Sequence, residues 1–182
     1  MPPLQEPSDA RSDGDLVAAA NAGDARAFDA LYHRYKQWVV SLAMRFTGDA
    51  DQALDVCQET FLYLLSKFPR FKLTSRLTTF LYPAVKNLSI GARRKTARFT
   101  GDEHSLDALP GPVAAETNEL TTVVGGLPEG QREVVLMRFV DGLSLEEIGA
   151  ALEIPRGTVK SRLHNALATL RADQRVQKFF QP

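Results

Sequence analysis

Near the carboxyl end, Leu143-Ser144-Leu145-Glu146-Glu147-Ile148-Gly149 is followed by Ile154-Pro155-Arg156-Gly157-Thr158-Val159-Lys160-Ser161-Arg162-Leu163. The stretch reads as two short helices joined by a tight turn. Ser144 is placed to cap the first, with Glu147 three residues on completing a capping box. Leu145, Ile148 and Leu152 face inward, and Gly149 keeps the surface small where the next helix must cross. Ile154 packs in the turn, and Pro155 suits the first turn of the second helix. There Val159, Leu163, Ala166 and Leu170 recur at i, i+4, i+7 and i+11. Thr158, Lys160, Ser161 and His164 are left facing outward, flanked by Arg156 and Arg162. A helix with a buried stripe and a polar, basic outer face is the kind placed in the major groove of DNA. Basic helical hairpins also occur as plain soluble surface, so the motif alone leaves both readings open.

Charge is segregated in a way that suits the first reading. The 182 residues carry 22 basic and 22 acidic side chains, for zero formal charge. Arg93, Arg94, Lys95 and Arg98 cluster in one run, and Arg156, Lys160, Arg162 and Arg171 in another. Asp102, Glu103, Asp107, Glu116 and Glu119 lie between them. Local phosphate contact needs such clusters rather than a cationic whole. The single cysteine, Cys57, forbids an internal disulfide, which suits a cytoplasmic protein. Its place on an apolar helix face makes it a small buried hydrophobe. His33, His104 and His164 show no ligand spacing, so no metal or other cofactor is expected. No apolar run is long enough for a membrane span, and residues 1–14 read as a disordered arm without signal-peptide character.

The rest of the chain is patterned for helices, with no strand pattern of any length. Leu16, Ala20, Ala27, Leu31 and Tyr35 recur at helical spacing, broken at Gly23-Asp24, where Asp24 caps a helix from Ala25. Val39, Leu42, Ala43 and Phe46 extend the pattern to Thr47-Gly48-Asp49. Leu54, Cys57, Phe61, Leu64, Leu65 and Phe68 mark the buried face of a third helix, stopped at Pro69, with Asp55, Gln58, Glu59 and Leu62 opposite. A loop from Arg70 to Ser75 leads to a fourth helix through Leu81, Val85 and Leu88, which Pro83 should kink or delay. Residues 99–117, rich in Gly and Pro, read as a flexible linker. Beyond them, Val135, Leu136, Phe139 and Leu143 bury one face. The expectation is an all-α fold: a helical domain over 15–98, the linker, a helix-turn-helix domain over 118–172, and a tail over 173–182 whose Phe179-Phe180 packs back.

Two blocks resemble bacterial sigma factors of the sigma-seventy family, the small extracytoplasmic-function (ECF) type in particular. Leu127-Pro128 with Gln131-Arg132-Glu133-Val134, then Gly142 to Ile148 and Gly157 to Leu163, are similar to the fourth sigma region. Gly23-Asp24, Ala27-Phe28, Leu31-Tyr32 and Asp55-Val56-Cys57-Gln58-Glu59-Thr60-Phe61 are similar to the second. Thr79-Phe80-Leu81-Tyr82, Asn87 and Arg93-Arg94 match its promoter-facing part.

The resemblance implies a division of labour. Asp55, Gln58, Glu59 and Leu62 would dock on the β′ clamp helices of core RNA polymerase, and the second domain on the β flap. Phe71, Lys72, Thr74 and Ser75, with Asn87, would take the −10 element of promoter DNA as a single strand, an extruded base held in a pocket. Arg93, Arg94 and Lys95 would contact nearby phosphates. Arg156, Thr158, Lys160, Ser161, Arg162 and His164 would read the −35 duplex. The acidic linker would thread polymerase channels, and an anti-sigma factor would hold the chain inactive. The chain departs from the family at Phe80, often tryptophan, at Pro83, and at Glu153, where a turn glycine is usual. Asn165 and Leu167 stand where arginines are common, which implies weaker phosphate contact or an unusual −35 preference.

Two rival functions are weaker. A stand-alone helix-turn-helix regulator usually pairs the motif with a phosphorylatable or ligand-binding domain, whereas the amino-terminal half here carries the other sigma-like block. An enzyme would need an acid, base or nucleophile constellation, and none can be assembled from the sequence.

Overall fold

The computed structural model describes residues 9–100 and 119–179, and among these every element is a helix. Most of the predicted linker, the first eight residues and Phe180 lie outside the described residues.

Four helices build the first domain. Helix α1, Asp13–Asn21, is closed by a reciprocal cap between Ser12 and Asp15. Helix α2, Ala25–Thr47, starts at the Asp24 cap and ends on Gly48 in the left-handed conformation. It is one continuous 23-residue rod that buries Ala27, Leu31, Val39, Leu42 and Phe46. Helix α3, Ala50–Leu65, and helix α4, Leu77–Thr100, pack on it.

Two expectations are corrected here. Leu54 and Leu65 are not on the buried face of α3; that face is Ala53, Val56, Cys57, Thr60, Phe61 and Leu64. At 3.6 residues per turn, Leu54 and Leu65 align with Gln58 and Leu62 on the outer side. Pro83 does not delay α4, which begins six residues earlier at Leu77 and runs on past it.

The second domain holds α5, Glu119–Gly125, α6, Glu129–Phe139, α7, Leu145–Leu152, α8, Arg156–Ala172, and α9, Gln174–Phe179. Helix α6 buries Val134, Val135 and Met137, whereas Phe139, expected inside, stands 62 % exposed at its last position. Helix α9, which the tail sequence did not signal, packs on α5 and α8.

The two domains touch. Val134, Met137, Leu143, Ile148 and Ala151 of the second share one buried cluster with Leu42, Phe46, Leu81, Tyr82 and Val85 of the first. Helix α7 lies on α4. A smaller cluster of Leu127, Val135 and Ala166 belongs to the second domain alone.

Candidate nucleic-acid interface

The helix-turn-helix is held by local chemistry. The Ser144 hydroxyl accepts from the Glu147 backbone N–H at 3.2 Å, and the Glu147 carboxylate accepts from the Ser144 N–H at 2.7 Å. The turn is made at Glu153, whose backbone is left-handed at φ 54°, ψ 39°. Its neighbour Ile154 donates its N–H to the Gly149 carbonyl at 3.0 Å. The missing side chain at Gly149 lets this turn close, because a Cβ there would stand 3.0 Å from the Ile154 carbonyl oxygen.

Helix α8 leaves the turn with Val159 and Ala166 buried and Leu163 and Leu170 half-buried behind them. Arg156, Lys160, Ser161 and His164 are exposed along the opposite edge, and Thr158 is half-buried. Arg156 is bridged to Glu146 at 2.8 Å, so its guanidinium is aimed from the start of the helix. The Ser161 hydroxyl donates to the Thr158 carbonyl at 3.0 Å. Arg162 takes another course. Its guanidinium lies against Gly130 of α6, where an added Cβ would meet it at 3.1 Å. It therefore braces the two helices instead of standing on the outer edge.

In the first domain the loop from Arg70 to Ser75 joins α3 to α4. Lys72, Thr74 and Ser75 are exposed. Phe71 is not: it is buried between the rings of Phe68 and Phe80, at centroid distances of 5.6 and 4.7 Å. Its N–H and carbonyl are both held by the Asn21 side-chain amide, at 3.0 and 2.8 Å. Phe71 thus anchors the loop that presents its neighbours. Phe80 stacks on Tyr63 as well, which makes it part of the same aromatic support.

Asn87 and Arg94 are exposed on α4, and Arg93 is half-buried. Asn87 opens onto a groove of about 420 Å³ between α3 and α4, shared with Gln52, Asp55, Glu59, Lys95 and Phe99. The groove joins two predicted sets, since Asp55 and Glu59 also belong to the outer face of α3. That face is more apolar than expected: Leu54, Leu62 and Leu65 are 47 %, 64 % and 49 % exposed along one line. The signal for the two extra leucines was their i, i+4, i+8 and i+11 spacing with Gln58 and Leu62. Cys57 stays on the inner side, and burial pushes its thiol up. Among the described residues no helix is long and apolar enough to cross a membrane.

Comparison with known proteins agrees with this geometry. Residues 31–99 match the family described as sigma-70 region 2, and residues 123–172 match sigma-70, region 4. The chain is 31 % identical to the RNA polymerase sigma-H factor of Pseudomonas aeruginosa, covering 93 % of this chain and 94 % of that one. It is 30 % identical to the ECF RNA polymerase sigma factor SigW of Bacillus subtilis, covering 87 % and 95 %. Among solved structures it is similar to CnrH in complex with the cytosolic domain of CnrY, at TM-score 0.65 and 25 % identity, covering 88 % of this chain and 95 % of that one. The fold is also that of the sigma factor RpoE of Bartonella quintana, at TM-score 0.64 and 21 % identity over 86 % of this chain and all of that one. The chain belongs to the sigma-70 family as an extracytoplasmic-function (ECF) sigma factor, and its function is promoter-specific transcription initiation.

Proposed function

We propose that this sigma factor divides promoter reading between its two domains. Helix α8 enters the −35 major groove, with Lys160, Ser161 and His164 towards the bases and phosphates and Arg156 at the helix start. Lys72, Thr74 and Ser75, carried on the Phe71 anchor, take the displaced −10 strand together with Asn87, and Arg93 and Arg94 meet its phosphates. Captured bases are held by pocket shape and backbone charge. The observation that carries this reading is the exposed edge of α8 behind a capped turn, in a chain whose other domain presents the polar loop.

Core RNA polymerase is the first partner. The outer face of α3, with Asp55, Gln58, Glu59 and Leu62 joined by Leu54 and Leu65, docks on the β′ clamp helices, and the second domain on the β flap. An apolar line ringed by acids is the kind of surface that a protein partner covers. The chain works in the bacterial cytoplasm, without cofactor and without chemistry of its own. An anti-sigma protein restrains it, as the similarity to CnrH in complex with CnrY suggests.

The test is reconstitution. Purified chain plus core polymerase on genomic DNA gives discrete transcript starts, each preceded by a common pair of elements. Scattered starts, or tight operator binding that needs no polymerase, would point to a stand-alone regulator instead.

A further inference from the structure

The loop from Arg70 to Ser75 is fastened by a helix 50 positions earlier in the chain. The Asn21 side-chain amide accepts from the Phe71 N–H at 3.0 Å and donates to the Phe71 carbonyl at 2.8 Å. Both halves of the amide are used, as a neighbouring strand would use its own backbone. Asparagine at a helix end ordinarily bonds its own local backbone. Here the last turn of α1 closes without it: the Ala22 N–H donates to the Ala18 and Ala19 carbonyls, and the chain turns away at Gly23, φ 94°. The amide is left for the loop. Among the described residues, no other hydrogen bond ties the backbone of residues 71–75 to another helix.

These two bonds matter because Phe71 is buried, between the rings of Phe68 and Phe80. Without the amide, its N–H and carbonyl would be sealed from water unpaired, which costs more than a bond to water. The stretch would move outward to recover partners. Lys72, Thr74 and Ser75 follow directly and are exposed. Where their side chains point is set by where Phe71 sits.

Helix α1 is itself clamped at its other end. The Asp13 carboxylate accepts from Arg34 Nη1 at 2.6 Å and from the Tyr35 hydroxyl, both on α2. Arg34 Nη2 donates to the Asp9 and Arg11 carbonyls at 2.6 and 2.8 Å, just before α1 begins. Between the two ends, Leu16 and Val17 are the buried residues of α1. A helix of nine residues is too short to stand by propensity alone. Its contacts therefore place it: α1 is a strut from α2 to the loop, with Asn21 as its tip.

We propose that Asn21 is a positioning residue for capture of the −10 strand, fixing through Phe71 the loop that carries Lys72, Thr74 and Ser75. It touches no DNA and acts by holding the loop in its binding shape. The inference rests on the assignment of that loop to the −10 element.

The test uses the full chain, free and as holoenzyme, with Asn21→Ala and the isosteric Asn21→Asp. The aspartate still accepts from the Phe71 N–H but has no proton to donate to the carbonyl. If the loop then keeps its binding shape about one tenth of the time, holoenzyme affinity for a single-stranded oligonucleotide carrying the −10 element, found by mapping transcript starts, falls about tenfold. The penalty for exchanging −10 bases one at a time should shrink with it, because a base loosely held is poorly discriminated. Affinity for core polymerase and for a −35 duplex, met by α3 and α8, should stay within about twofold, as for distant sites. Amide hydrogen exchange over residues 70–75 of the free chain reads the fastening without DNA and should quicken about tenfold. Unchanged exchange would overturn the role of Asn21, as would equal losses on the −10 strand, the −35 duplex and core. Faster exchange with unchanged −10 affinity would instead fault the assignment of the loop to the −10 element. Asn21→Asp decides alone if Asn21→Ala fails to fold by circular dichroism.

Discussion

Gly149 and Ile154 meet at the point where the helix-turn-helix closes: a Cβ on Gly149 would stand 3.0 Å from the Ile154 carbonyl oxygen and 3.8 Å from the Val159 side chain. The obstacle is largely backbone, so it cannot swing aside. Gly149→Ala should therefore destabilise the second domain by about 1–3 kcal/mol, the usual range for overpacking. Urea unfolding followed by circular dichroism checks it. An unchanged midpoint would mean that α7 and α8 separate at little cost.

Glu153 invites the opposite change. It is the non-glycine residue with positive φ among the described residues, at 54°. Its side chain makes the left-handed backbone costly, and glycine removes that penalty at the price of a more flexible unfolded chain. Glu153→Gly should raise stability by about 0.5–1 kcal/mol. A lower melting temperature would show that the carboxylate makes a compensating contact.

Lys160 is exposed on the outer edge of α8. If it meets phosphate, Lys160→Ala lowers affinity about equally on all −35 sequences and reduces the salt slope by about one. A loss confined to one base position would make it a base reader. Titrations of holoenzyme at several salt concentrations separate the two.

Leu62, 64 % exposed on α3, should count for more in binding core polymerase than in stability. Leu62→Arg is expected to weaken core binding by at least about 1.4 kcal/mol, a factor of about ten. The melting temperature should hardly move. Equal losses in both measurements would mean that the residue is structural.

Acid should not open the contact between the two domains, where Asp141 accepts from Arg45 and Trp38. Burial raises the Asp141 carboxyl above its usual range, although Arg45 and Trp38 act against that shift. A carboxyl raised in the closed form binds its proton more tightly there than in the open one. Its contribution to closure is therefore complete below the ordinary value of 3.8 and is lost as pH rises through the raised one. Energy transfer between labels at Asp51→Cys on α3 and Ala168→Cys on α8, both exposed positions, should hold or increase in the free chain between neutral and mildly acid pH. A clear fall would assign control to another group.

Much of the fold was legible because its signals are local. The Ser144 and Asp24 caps, the Gly48 stop and the α8 stripe each depend on residues within a few positions. The misplaced leucines of α3 and the exposed Phe139 show where local reading fails. Helical spacing marks a face rich in apolar groups, but does not say whether the chain's own core covers that face. Phe71 failed for a related reason: the aromatic nest that buries it draws on α4 as well as on the loop. The contact between the domains was invisible because Arg45 and Asp141 lie 96 positions apart, and single acids and bases on helix surfaces look alike whether they meet a partner or water. The site residues were assigned by family motif, and α8 shows what that leaves out, since Arg162 is spent on bracing α6.

The leucine line on α3 also bears on how long this chain can survive alone. Three large aliphatic side chains in a row form a sticky seam for other copies and a foothold for chaperones and proteases. Cellular abundance would then follow the supply of free core polymerase: copies that find it are shielded, and surplus copies are cleared. Promoter output would be limited by occupancy of that one face before any DNA is met.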